Sequence, residues 1–338
     1  MKKTMGVLVV FAVLGTGQLF AGGSAEQKPA APKPAEKYVI KMATPSNPAD
    51  SCVKGFFQFK EIAERESKGR LEVQVIHSGQ LGGHRDYIEG LQIGSIQMAE
   101  INTSVLSAID NKFMIFDLPY IAKSADHEIK VIKGGVGDKL AKALEDKTGI
   151  KIIGWMVRTP RSVYSSRGSI QTADDFKGLK VRVMESPVMI KTMELLGAKP
   201  IPISANERYM ALQTKVVDAA ENSPPLIITQ KEYEVTKFLS LTEHFCTPNV
   251  IAMDGKLFKK MPSDLQKIIL SAGEAAAAFS IQQDKDQLEG AIKEMQAKGM
   301  TVNKIADKSS FIEKVKPIYA EYQEKIGKDL IDAFLNSN

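Results

Sequence analysis

The chain is poor in residues that build covalent or metal frameworks. It has two cysteines, Cys52 and Cys246, and four histidines, His77, His84, His127 and His244, in 338 residues. The histidines are scattered without metal-ligand spacing, so no metal site is expected. One cysteine pair makes no framework pattern; an oxidising compartment would permit a bridge, and sequence alone leaves the pairing open. The formal net charge is a mild +5 spread along the chain. There is no basic stripe with interleaved aromatics, which excludes nucleic acid as an expected partner. No nucleophile elbow, Ser-His-Asp text or zinc-ligand spacing is present. The glycines of "KGGVGDKL" (Gly134, Gly135, Gly137) are not followed by Lys-Ser/Thr at phosphate-loop spacing, and read as a flexible turn before a helix. No repeat of solenoid period is visible.

What is there begins with a leader. Lys2 and Lys3 precede the apolar run "MGVLVVFAVLG", which is too short to be a comfortable membrane span, and small residues follow at Ala21–Ala25. Residues 1–25 are therefore expected to be a cleaved signal peptide, with cleavage after Ala21 or Ala25. No cysteine lies near the run, so a lipid anchor has no attachment point. Residues 26–37, "EQKPAAPKPAEK", read as a flexible Pro/Ala/Lys tether that cannot bury apolar surface.

From Lys37 onward, short β-rich runs alternate with helical periodicity, the pattern of parallel α/β layers. "KYVIKMA", "RLEVQVIH" and "SIQMAEIN" read as strands, separated by helices in "SCVKGFFQFKEIAERESKG" and "HRDYIEGLQIG". A second such unit is expected from about Gly154, with strands in "SVYSS", "LKVRVME", "AKPIPIS" and "VVDAAEN". Pro187 falls in the first turn of the helix "SPVMIKTMELLG", where its missing N–H costs nothing. Phe238–Phe245 and "NVIAMDGKLF" read as strands that cross back. Ser263 and Gln266 form an expected capping box for a long helix over about 264–297, broken or kinked near Gly273 or Gly290. Two α/β units joined by crossing segments make a two-lobed fold with a hinge. The expected lobes are 38–158 plus 248–287 and 159–247 plus 288–338, with the long helix spanning both. Ligands of open α/β sheets sit beyond the carboxyl ends of the strands.

That rule picks out candidates. Arg182 lies near the carboxyl end of "KVRV", just before the helix start at Ser186–Pro187. A guanidinium there can pair bidentately with a carboxylate, aided by helix N–H groups. Arg161 follows a Thr-Pro turn at the entry to the second unit. Asn222 ends "VVDAAEN" before Pro224–Pro225, and its amide can both donate and accept. From pattern alone, a surface arginine and a turn asparagine are the better explanation of these positions.

Taken in order, "SGQLGGHRDYIEGLQIGSIQMAE", "FDLPYI", "FKGLKVRVMESPV", "LLGAKPIPISANERYMALQTKVVDAAENSP" and "FLSLTEH" resemble the solute-binding subunit of tripartite ATP-independent periplasmic (TRAP) transporters, of the dicarboxylate-binding type. The resemblance runs from about Tyr38 to Ala297. It implies that Arg182 forms the main salt bridge to a ligand carboxylate, that Arg161 supplies a second arginine, and that Asn222 orients the ligand. Asn102 and Thr103, at the end of "SIQMAEIN", are implied as polar contacts of the other lobe, and His244 and Gln80 are implied less directly. Two positions depart from the pattern: Ala220 stands where glutamine is usual, and Ala205 where a hydrophobic or aromatic residue is usual.

The implied protein is a periplasmic, non-enzymatic binder without cofactor. It takes up a small organic acid, a dicarboxylate, sugar acid or similar, closes by hinge bending, and serves the integral-membrane subunits of a TRAP transporter. The alternatives are an exported enzyme acting on an organic acid, and a binding module feeding a sensor kinase or an ATP-driven importer.

Overall fold

The computed structural model describes residues 36–337. The expected signal peptide and all but the last two residues of the expected tether lie outside them. Within the described residues eleven strands form two sheets. They are β1 (Tyr38–Ala43), β2 (Leu71–Ile76), β3 (Met98–Asn102), β4 (Ile150–Met156), β5 (Arg161–Ser165), β6 (Lys180–Val183), β7 (Lys199–Pro202), β8 (Ala219–Asn222), β9 (Phe238–Phe245), β10 (Asn249–Asp254) and β11 (Thr301–Lys304). The first sheet has the order β2-β1-β3-β10-β4, and the second β11-β9-β5-β8-β6-β7.

In the first sheet β1 runs parallel to both β2 and β3, as the expected βαβαβ unit requires, while β10 lies antiparallel between β3 and β4. In the second, β6 is parallel to β7 and β8, and β5 is antiparallel to β8 and β9. The backbone passes from one sheet to the other between β4 and β5 and again between β9 and β10. Strand β4 was not expected; "IKIIGWM" is buried on both faces, so it lacks the alternation that marks a half-exposed strand. The helices after β11 (Ser309–Val315, Pro317–Ile326, Lys328–Leu335) were also unread.

The helix Pro187–Leu195 begins as anticipated. Pro187 stands in its first turn, and the Ser186 side chain accepts from the backbone N–H of Met189. The long helix differs in two respects. It runs unbroken over Ser263–Ala297, and its N-cap is Pro262 with no side-chain cap, so Ser263 and Gln266 form no capping box. Gln266 instead donates to the Met261 carbonyl. Gly273 is a packing glycine: a Cβ there would stand 2.6 Å from the Ile153 carbonyl oxygen, and one on Gly154 2.8 Å from that of Gly273. Helix and β4 meet glycine to glycine, which lets their backbones approach. The first half of the helix buries Leu265, Ile269, Ala272 and Ala276 with the first sheet, and Met295 joins the apolar cluster of the second. One helix thus touches both sheets.

The turn "KGGVG" is a single π-helical turn, Ile132–Val136, linking helices Ala125–Val131 and Gly137–Thr148. Gly135 takes φ +105°, a conformation only glycine reaches cheaply. Both cysteines are buried and free. Cys52 accepts from Asn249 and Ser280, whereas Cys246 donates to the Arg158 carbonyl. Among the described residues no helix is long and apolar enough to cross a membrane.

Candidate ligand-binding site

A pocket opens where the carboxyl ends of β3 and β8 meet the starts of β5 and β10. Its walls include Glu100, Asn102 and Asn249 from the first sheet, and Arg161, Met184, Ala205, Arg208 and Asn222 from the second. Arg158, on the crossing between β4 and β5, lies between them. Of the residues expected from sequence, Arg161, Asn222 and Asn102 line this pocket. Thr103 does not, because its hydroxyl is buried and donates to the Pro248 carbonyl at 3.0 Å. Gln80 is exposed and away from it, and His244 is buried outside the lining. Ala205 is part of the wall.

Arg182 is not part of that lining: it is buried completely, with Met184 of the pocket wall against its guanidinium. Strand β6 carries it between Ile201 of β7 and Ala220 of β8. A sheet flanked by helices buries both strand faces, so the exposed-face alternative is removed. Ala220 is thus the register neighbour of Arg182, and its methyl group offers the guanidinium no hydrogen bond. Arg182 Nε donates to the Ile203 carbonyl at 2.8 Å, and one terminal nitrogen meets the Met184 sulfur at 3.3 Å. Its Nη1 has no acceptor, and no carboxylate pairs with it among the described residues. Burial, then the Arg208 charge, bring its pKa down to about 9, the mark of a cation lacking an anion.

The other buried arginines are matched. Arg161 meets Glu221 in a two-pronged pair at 2.5 and 2.8 Å and donates to the Asn222 side-chain oxygen at 2.9 Å. Burial opposes the Glu221 anion, but the Arg161 charge and hydrogen bonds outweigh it and hold that carboxyl below its ordinary value. Arg208 pairs with Glu232 at 2.6 Å, and Tyr164 donates to the same carboxylate. Asn222 keeps its Nδ2 donor without an acceptor. Three buried donors at or near the pocket, Arg158 Nε, Arg182 Nη1 and Asn222 Nδ2, therefore lack an acceptor among the described residues.

Arg158 is enclosed by acids. It donates to Asp50 at 2.8 and 3.1 Å, and lies 3.4 Å from both Glu100 and Asp284. Asp284, on the long helix, also accepts from the Thr159 backbone N–H and hydroxyl at 2.7 and 2.8 Å, tying that helix to the sheet crossing. Glu100 accepts from Thr44 and Asn249, both at 2.5 Å, and Asn249 in turn accepts from Asn102 at 2.6 Å. Burial raises the pKa values of Glu100 and Asp284, with the Arg158 charge opposing. His84 lines the same side and contacts the Glu100 carbonyl through Nδ1; burial lowers its pKa to about 4, so it is neutral.

Sequence reading missed Arg158, Arg208, Glu100 and Asn249. Glu100 carried a signal, since a carboxylate in the otherwise apolar middle of "MAEIN" is costly unless paired. Arg208 in a helix and Arg158 after "IIGWMV" carried none without their partners.

Residues 42–325 match the family described as bacterial extracellular solute-binding protein, family 7, and the chain belongs to that family. It is 30% identical over 306 residues to the C4-dicarboxylate-binding periplasmic protein of Rhodobacter capsulatus, covering 89% of this chain and 91% of that one. Its fold matches the sugar acid binding protein of Advenella mimigardefordensis in complex with galactonate (TM-score 0.87, 28% identity, covering 90% of this chain and all of that one). It matches equally a TRAP periplasmic solute-binding protein from a Polaromonas species bound to D-erythronate (TM-score 0.87, 28% identity, 89% and 99% covered). The α/β architecture is thus the two-lobed fold of TRAP solute-binding proteins, with its long helix.

Proposed function

We propose that this chain captures a carboxylate-bearing organic acid between its two sheets, closes over it, and hands it to the membrane subunits of a TRAP transporter outside the cytoplasmic membrane. One observation carries the reading: of four buried arginines around the pocket, Arg158, Arg161 and Arg208 are ion-paired and Arg182 is not. A buried charge without a partner is expensive, and a bound carboxylate repays that cost. In this reading Arg182 anchors the carboxylate, Asn222 Nδ2 fixes its orientation, and the Arg161–Glu221 pair holds Asn222 in place. Asn102 faces the ligand from the other sheet, and Thr103 supports the turn behind it.

Lobe limits of 38–158 plus 248–287 and 159–247 plus 288–338 fit the division of strands between the sheets, with the crossings at 157–160 and 246–248 as the hinge. The water-accessible space between the pocket walls is about 30 Å³, enough for roughly two waters. An organic acid therefore enters only when the walls part, and binding that favours the closed form then drives closure. Thermal-shift screening of organic acids should find a stabilising ligand by mass action. Calorimetric titration of that ligand should lose at least about a hundredfold in affinity, near 3 kcal/mol, in Arg182→Met. Unchanged affinity there would sink the assignment.

A further inference from the structure

We infer that the ligand is a polyhydroxy monocarboxylic acid, its single carboxylate held at the Arg182 end and its hydroxyls read by Glu100, Asn102 and Asn249 at the opposite wall. This rests on the carboxylate-binding reading above and adds the balance of charge across the pocket. On the second-sheet side, Arg161, Arg182 and Arg208 face Glu221 and Glu232, leaving one guanidinium in excess. On the first-sheet side the balance reverses, because the single Arg158 is shared by Asp50, Glu100 and Asp284. That wall has no cation left over. The far carboxylate of a dicarboxylate would leave water to face acids whose only guanidinium is already committed, so it meets like charge without a counter-ion.

A hydroxyl meets the same wall differently. It donates and accepts, and costs far less to desolvate than an anion. Glu100 accepts from Asn249 and Arg158 on Oε1 and from Thr44 on Oε2, with the weakly donating Cys52 thiol beside the same carboxylate. A ligand hydroxyl is a stronger donor than that thiol and can take its place. Asn102 and Asn249 beside it, and Ser46, Gln230 and neutral His84 in the same lining, supply further mixed donors and acceptors. This is a surface suited to a row of hydroxyls.

The test is calorimetric titration of the purified protein at neutral pH with galactonate, D-erythronate and succinate. At least one hydroxylated acid should bind about thirtyfold or more tighter than succinate. In Glu100→Gln, whose fold is checked by thermal unfolding, that ratio should shrink at least about fivefold; Asn102→Ala provides the same readout if Glu100→Gln fails to fold. Succinate binding as tightly as, or tighter than, both hydroxylated acids overturns this inference while leaving carboxylate capture standing. Binding of none of the three overturns both. An unchanged ratio in the folded variant overturns the reading of hydroxyls by Glu100.

Discussion

Arg158 and Arg182 are both buried guanidiniums beside one pocket, yet the first is ringed by Asp50, Glu100 and Asp284 and the second meets no acid. The neighbouring carboxylates, Asp50 foremost, outweigh the desolvation of Arg158 and push its pKa well above the ordinary value, whereas burial pulls that of Arg182 down. The first holds together elements distant in the chain: a helix start, β3, the sheet crossing and the long helix. The second is held by a carbonyl and a thioether, which orient it without neutralising it. A buried arginine is structural or ligand-directed according to whether the protein supplies its anion.

The sharpest way to break that contrast is Arg158→Met. It strands three buried carboxylates, and denaturant unfolding should show a loss of about 3–5 kcal/mol; unchanged stability would mean that Arg158 is not the tie described. Arg182→Met is the counterpart. It removes an uncompensated charge, so the ligand-free protein should unfold at equal or higher denaturant while affinity falls by about 3 kcal/mol. A stability loss matching that of Arg158→Met would erase the difference between the two sites.

A third test concerns an acid whose partners are neutral. Asp117 is buried, accepts from the Ser104 and Ser186 hydroxyls at 2.5 and 2.6 Å, and burial raises its pKa to about 7. Unfolded, it would titrate near 4. Between those values the folded chain holds a proton that the unfolded chain releases. Its stabilising contribution is therefore complete below about pH 4 and lost as pH rises through 7. Asp117→Asn should gain stability relative to the parent over this interval, on the order of 4 kcal/mol, and level off above pH 8. His84 and His244, lowered to about 4 by burial, work in the opposite sense, losing stability as pH falls through 4, and cancel in the difference. A gap independent of pH would refute the raised carboxyl. The smallest effect belongs to Asn222→Ala, which removes one unpaired donor and should weaken ligand binding about five- to tenfold, near 1 kcal/mol. No loss would leave Arg182 as the sole anchor.

Much of the framework was legible. The β1–β3 unit followed from hydrophobic period and glycine stops, and Ser186–Pro187 marked a helix start. The motif order pointed to Arg182, Arg161, Asn222 and Asn102 before any contact was known. Strand β4 escaped because a doubly buried strand has no alternation, and Gly273 was misread as a kink because its function depends on Ile153 across the interface. The absence of a hydroxyl or amide beside Arg182 was half visible in Ala220, although only the sheet register made the two neighbours.

By itself the sequence determined local matters: element order, the helix start at Pro187, the residue types able to hold an anion, and the family. The tertiary structure decided which charges are spent. Arg161 finds Glu221 sixty residues away, and Arg158 finds Asp50 and Asp284 at separations of 108 and 126. Ion pairing falls off steeply with distance in space and is indifferent to distance along the chain. Which arginine is left with an uncommitted charge is therefore a property of the fold.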